Sequence, residues 1–126
     1  MNTNDTTTTA PALIDFEQLE SACGGDAELK RELMDMYFGQ ADTIIAGLKT
    51  AVAEKSVPDV NHLSHKLAGS SLACGLSAVV PALRRMEHAA KAGHLDGAEE
   101  SLAETVKYLE LTREAVREHI GPVNSP

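Results

Sequence analysis

Residues 26–56 read DAELKRELMDMYFGQADTIIAGLKTAVAEKS, and their apolar positions decide the fold class. Leu29, Leu33, Met36 with Tyr37, Ile44, Leu48 and Val52 recur at three- and four-residue steps, the spacing that lines one face of a long helix. Asp26 stands where its carboxylate can cap the first turn. Gly39 and Gly47 lie inside the run and weaken it by about 1 kcal/mol each relative to Ala. Such an amphipathic rod must bury its stripe against other elements, and the flanking sequence supplies more helices.

On the N-terminal side, after Pro11, Leu13, Phe16 and Leu19 mark a short helix that stops at Gly24-Gly25. On the C-terminal side, Pro58 suits the first turn of a third helix running to about Gly75. A fourth carries Val79, Val80, Leu83, Met86 and Ala90 on one side, with Pro81 tolerable only in or beside its first turn. After the break KAGHLDG, a last helix is marked by Leu95, Leu102, Val106, Leu109, Val116 and Ile120, and Gly121-Pro122 ends it. No alternating strand pattern and no internal repeat interrupts this series. The expectation is an all-α fold: an antiparallel four-helix bundle with a short additional N-terminal helix laid against one end.

The bundle is expected over residues 12–121, with a disordered Thr-rich tail at 1–11 and a flexible C-terminus at 122–126. A formal charge of −8 argues against a nucleic-acid partner and against an anionic membrane surface. No run of about 20 apolar residues and no signal-peptide pattern is present, so a soluble cytoplasmic protein is expected, and a monomer is the expected oligomeric state. The starting Met and full set of helices point to a free-standing protein. Cys23 and Cys74 are isolated, with no CxxC spacing, and are read as buried thiols.

The third helix carries the chemistry, in NHLSHKLAGSSLACGL at residues 61–76. At about 100° per residue, Val60, Leu63, Leu67, Ser71 and Cys74 share a core stripe, and His65 lies roughly 160° from its centre. His65 is therefore expected in solvent, on an outer face shared with Pro58, Gly69, Leu72 and Leu76. Gly69 follows one turn later, a poor helix former with no core contact to justify it, and it opens a dent beside the imidazole. A neutral imidazole keeps one ring nitrogen with a free lone pair. On periodicity alone, a solvated surface histidine and a neutral glycine are the alternative.

SHKLAGSSLACGL resembles the signature of histidine-containing phosphotransfer (HPt) domains, roughly His-x-Leu-Lys-Gly-Ser-Ser with a later Gly. DFEQLESACGGDAELKRELMDMYF is similar to that family's first two helices, and VPALRRMEHAA keeps its Leu-x-x-Leu-Glu cadence, with Met86 for the second Leu. The resemblance spans about Leu13 to Ile120. It implies that His65 is the phosphoacceptor, that Gly69 admits a receiver domain and that Ser70 belongs to the motif's polar support. Ala68 stands where the family often has Lys, and the resemblance then implies that Lys66 takes over phosphoryl stabilisation. Gly69, Leu72, Leu76, His62 and Ala68 make up the expected docking surface. Arg84, Arg85 and His88 are read either as a basic rim to it or as a solvated face with i, i+4 pairs such as Arg84 with His88.

The partner so implied is the receiver domain of a hybrid histidine kinase, of a response regulator or of both, with phosphoryl groups passing reversibly between receiver aspartates through His65. Mg2+ is expected on that receiver, and no cofactor on this chain. No GxxxxGK[ST] and no glycine-rich loop after a strand is present, so His65 is not expected to load itself from ATP. Two rivals remain: a metal-binding bundle, for which neither HExxH nor Glu-x-x-His is available, and a non-catalytic adaptor that binds a partner through the outer face of the third helix.

Overall fold

The computed structural model describes residues 13–121. The readings made for the two termini, 1–11 and 122–126, lie outside the described residues. Among the described residues the chain is all-helical, with five α-helices and one 3₁₀ turn: α1 Phe16–Cys23, α2 Ala27–Ala53, α3 Val57–Ala73, the 3₁₀ turn Ser77–Val79, α4 Val80–Lys91 and α5 Ala98–Ile120.

Local chemistry sets the boundaries. The Asp15 carboxylate caps α1 by accepting from the Gln18 N–H at 3.0 Å, and Asp26 caps α2 by accepting from the N–H groups of Glu28 and Leu29. Pro58 and Pro81 sit in the first turns of α3 and α4, where the missing N–H costs no helical bond. α2 packs on α3 and α5, α4 packs on the same two helices, and α1 lies across α2 and α3. Gly47 faces α3 closely, since a Cβ there would stand 3.1 Å from Leu63 Cδ1. Its cost to the helix is offset by that approach.

Two stripes of α2 obey the helical period, and the neighbours choose between them. Met34, Tyr37, Phe38, Ala41, Ile44, Ile45, Leu48 and Ala51 are buried, whereas Leu29 and Met36 of the expected stripe are 46% and 72% exposed. Leu33 and Val52 are only partly buried. Phe16 of α1 is likewise exposed; Leu19 and Cys23 make that helix's core contacts, with Ile14 buried just before it. Both cysteines are free and buried, and burial pushes both thiols up, which keeps them unreactive.

The end of α3 overturns one expectation. The helix stops at Ala73, and Gly75 reverses the chain with φ 78°. Its carbonyl accepts from the Asp15 N–H at 2.6 Å, and a Cβ on it would lie 2.5 Å from Asp15 O, so only glycine fits beneath α1. Leu76 therefore does not continue the outer face of α3. It turns inward and is fully buried, which removes it from any docking surface. Ala68 is corrected for a different reason: α3 is covered by α2 on one flank and α4 on the other, so the buried arc is wider than one stripe and takes in Ser64 and Ala68.

Leu76→Ala is expected to destabilise the fold by about 2–5 kcal/mol, as for other fully buried leucines. Leu72→Ala, at 47% exposure, should stay within about 0.5 kcal/mol. Chemical denaturation of both variants checks this, and equal small losses would contradict the inward turn.

Candidate functional site

Midway along α3, His65 presents an imidazole whose side chain is 67% exposed, while its Nδ1 lies 2.6 Å from Glu87 Oε2 on α4. Glu87 is the reverse case, a carboxylate with a side chain only 8% exposed. It is held there by α4, whose inward residues Leu83, Met86 and Ala90 press the same face onto the core. A buried carboxylate needs partners, and it has two: His65 on one oxygen and Arg84 Nη1 at 2.6 Å on the other. Burial pushes the Glu87 carboxyl up, but the bonds from Arg84 and His65 together outweigh burial and hold it below its ordinary value.

An ionised carboxylate can only accept, so the Glu87 bond places the imidazole proton on Nδ1. In the neutral ring that leaves the lone pair on Nε2, the nitrogen not engaged by Glu87. Such an arrangement can serve as an oriented nucleophile without a separate base. Sequence reasoning missed Glu87, although the signal was present: a glutamate at the core spacing of Leu83, Met86 and Ala90 demands an internal partner.

The depressed carboxyl also gives a pH dependence. The folded state binds this proton less readily than the unfolded chain, so the Glu87 contribution to stability is present above about pH 4.5 and is lost as pH falls through the lower folded value. The stability gap between the native protein and Glu87→Gln should be open at pH 7 and narrow as pH falls below about 4.5. A gap unchanged across that range in equilibrium unfolding would contradict the ion pair.

The other expected residues divide clearly. Gly69 is exposed, and a Cβ on it would meet nothing within 4 Å, so the surface one turn from His65 is open there. Leu72 is half exposed, and His62 lines a hollow of about 310 Å³ together with Pro58, Asn61, His65, Glu87 and Lys91. Lys66 is exposed but does not line that hollow. Ser70 turns to α2, where its hydroxyl donates to Gln40 Oε1 at 3.1 Å. Arg84 pairs with Glu87 rather than with His88, and Arg85 reaches Glu104 of α5 at 2.5 Å. The basic rim is thus largely spoken for by acids.

An apolar surface not foreseen from the sequence lies on the α2 side of the same helix. Leu33, Met36, Tyr37 and Gln40 of α2 face Ser70 and Ala73 of α3 across a groove of about 290 Å³. Met36 is its most exposed large apolar residue. Among the described residues, no three His, Cys, Asp or Glu side chains gather as a bound metal ion would require, and no helix is long and apolar enough to cross a membrane.

Residues 32–119 match the family model of the Hpt domain, and the chain belongs to that family. The matched segment contains α3, α4 and the whole His65–Glu87–Arg84 array. Membership implies phosphotransfer in two-component signalling, as a phosphocarrier module. Searches among curated proteins and among solved structures gave no match.

Proposed function

We propose that the protein is a phosphorelay carrier in which His65 Nε2 accepts a phosphoryl group from a receiver-domain aspartate and returns it to another. The observation that carries this reading is the 2.6 Å contact between Nδ1 and the buried Glu87, which leaves Nε2 as the free nitrogen on a largely exposed ring. In the transfer, the Nε2 lone pair forms the N–P bond as the acyl-phosphate P–O bond breaks, and the bonding pair leaves on the aspartate carboxylate. No proton need leave Nε2. The positive charge that develops on the ring, still protonated at Nδ1, faces the Glu87 carboxylate.

In-line displacement needs the donor to approach end-on, which suits a nucleophile on a convex helix with Gly69 open beside it. In this reading the receiver rests on Gly69, Leu72 and His62, and on the apolar strip formed by Met36 and Leu33. The magnesium ion belongs to the receiver. We further take α2 to α5 as an antiparallel four-helix bundle, residues 12–121 as the functional unit, and the carrier as monomeric and cytoplasmic.

The test is incubation with radiolabelled phospho-receivers from the same organism. Label that passes to the protein, is acid-labile and base-stable, and maps to His65 by mass spectrometry is the expected result. No label from any receiver, or label on another residue, would overturn the assignment.

A further inference from the structure

Three cations of this chain stand within a turn or two of His65 in space, and they differ in what already engages them. Arg84 donates to Glu87 Oε1 and so is part of the support behind the ring. Lys66 is roughly 100° round α3 from His65, on the flank of Leu63 and Ser70 that faces α2. The imidazole is drawn to the opposite flank by its bond to Glu87 on α4. The remaining cation is Lys91, the last residue of α4, one turn beyond Glu87 on the same face.

Residues toward the N-terminus of α3 lie opposite residues toward the C-terminus of α4 here, so Pro58, Asn61 and His62 meet Glu87 and Lys91 around one hollow. His65 forms its wall, and the hollow of about 310 Å³ has room for a tetrahedral phosphoryl group. No described residue forms a salt bridge with Lys91, in contrast to Arg84 and Arg85. Its chain of four methylenes lets the ammonium swing over the hollow without moving the backbone.

We propose that Lys91 is the cation that holds the phosphoryl group on His65, taking the part that the sequence pattern gives to Lys66. This rests on His65 being the phosphoacceptor. When the N–P bond forms, the added group brings two negative charges to the mouth of the hollow. The Glu87 carboxylate on the Nδ1 side of the ring repels them, and the mobile Lys91 ammonium offsets that repulsion by charge-assisted contact with the phosphoryl oxygens. Lys91 thereby biases the transfer equilibrium toward the phosphohistidine and slows its loss to water.

The experiment compares the native protein with Lys91→Gln, Lys91→Arg and Lys66→Gln, each mixed with a radiolabelled phospho-receiver. The fraction of label on the carrier at equilibrium and the half-life of the isolated phosphohistidine are read. Lys91→Gln should lower the carrier's equilibrium constant by about five- to tenfold. Lys91→Arg should restore it to within about twofold, and Lys66→Gln should leave it within about twofold of native. Because Lys91 is exposed at a helix end, far-UV circular dichroism of the variants should match the native protein. Native labelling with Lys91→Gln, or a larger loss from Lys66→Gln, would overturn the assignment of Lys91 while leaving His65 as acceptor. Absence of label on the native protein would instead overturn the acceptor itself.

Discussion

His65→Gln should abolish label transfer from a phospho-receiver, a loss of at least about 10³-fold, equivalent to more than about 4 kcal/mol of transition-state stabilisation. Glutamine is the informative replacement because its amide N–H can still donate to Glu87, so the buried carboxylate keeps two partners and the fold is spared. Alanine would remove one of them and confuse loss of chemistry with loss of support. A carrier without its nucleophile should bind a receiver as before and transfer nothing. An adaptor that only binds would have no transfer to lose, so equal labelling of native and substituted protein would refute the carrier reading.

Gly69→Gln should raise stability and lower transfer together. The native glycine is helical, and a side chain there projects into open space, so replacing it should stabilise α3 by up to about 1 kcal/mol. The same side chain stands one turn from His65, on the path proposed for the donor. A displacement of about 1 Å in the reacting groups costs roughly 10²-fold in rate, and a glutamine there should cost at least that much. Thermal unfolding and transfer kinetics on one sample check both signs. Unchanged transfer would show that the receiver does not use this face, whereas a loss of stability would show that Gly69 serves packing.

The helical class and most boundaries were legible in the sequence, because the residues that set them act locally. Asp26, Pro58, Pro81 and Gly121 cap or start helices through their own backbone chemistry, whatever the rest of the chain does. The outward direction of His65 was also legible, since it needs only the rotation per residue and the position of Leu67. What periodicity omits is how wide an arc the neighbours cover. Ala68 is buried because α4 closes the flank next to Leu67, and Met36 is exposed because α2 gives its buried arc to Met34, Tyr37 and Phe38.

Leu76 failed for a sharper reason. Helical angles were carried past Ala73, through the reversal at Gly75 that α1 imposes. Glu87 joins His65 across 22 positions of sequence, a contact no local pattern contains. The cadence around Met86 and Glu87 marked the residue without revealing its partner, and only the packing of α3 on α4 supplies it.

The most direct test of the oriented nucleophile is ¹⁵N nuclear magnetic resonance of the imidazole nitrogens, before and after phosphorylation by a receiver. Phosphorus coupled to Nε2 of His65, with Nδ1 retaining its proton in the native protein and losing that protection in Glu87→Ala, is the expected result. Phosphorus on Nδ1, or a native ring protonated at Nε2 alone, would contradict the arrangement from which the carrier function follows.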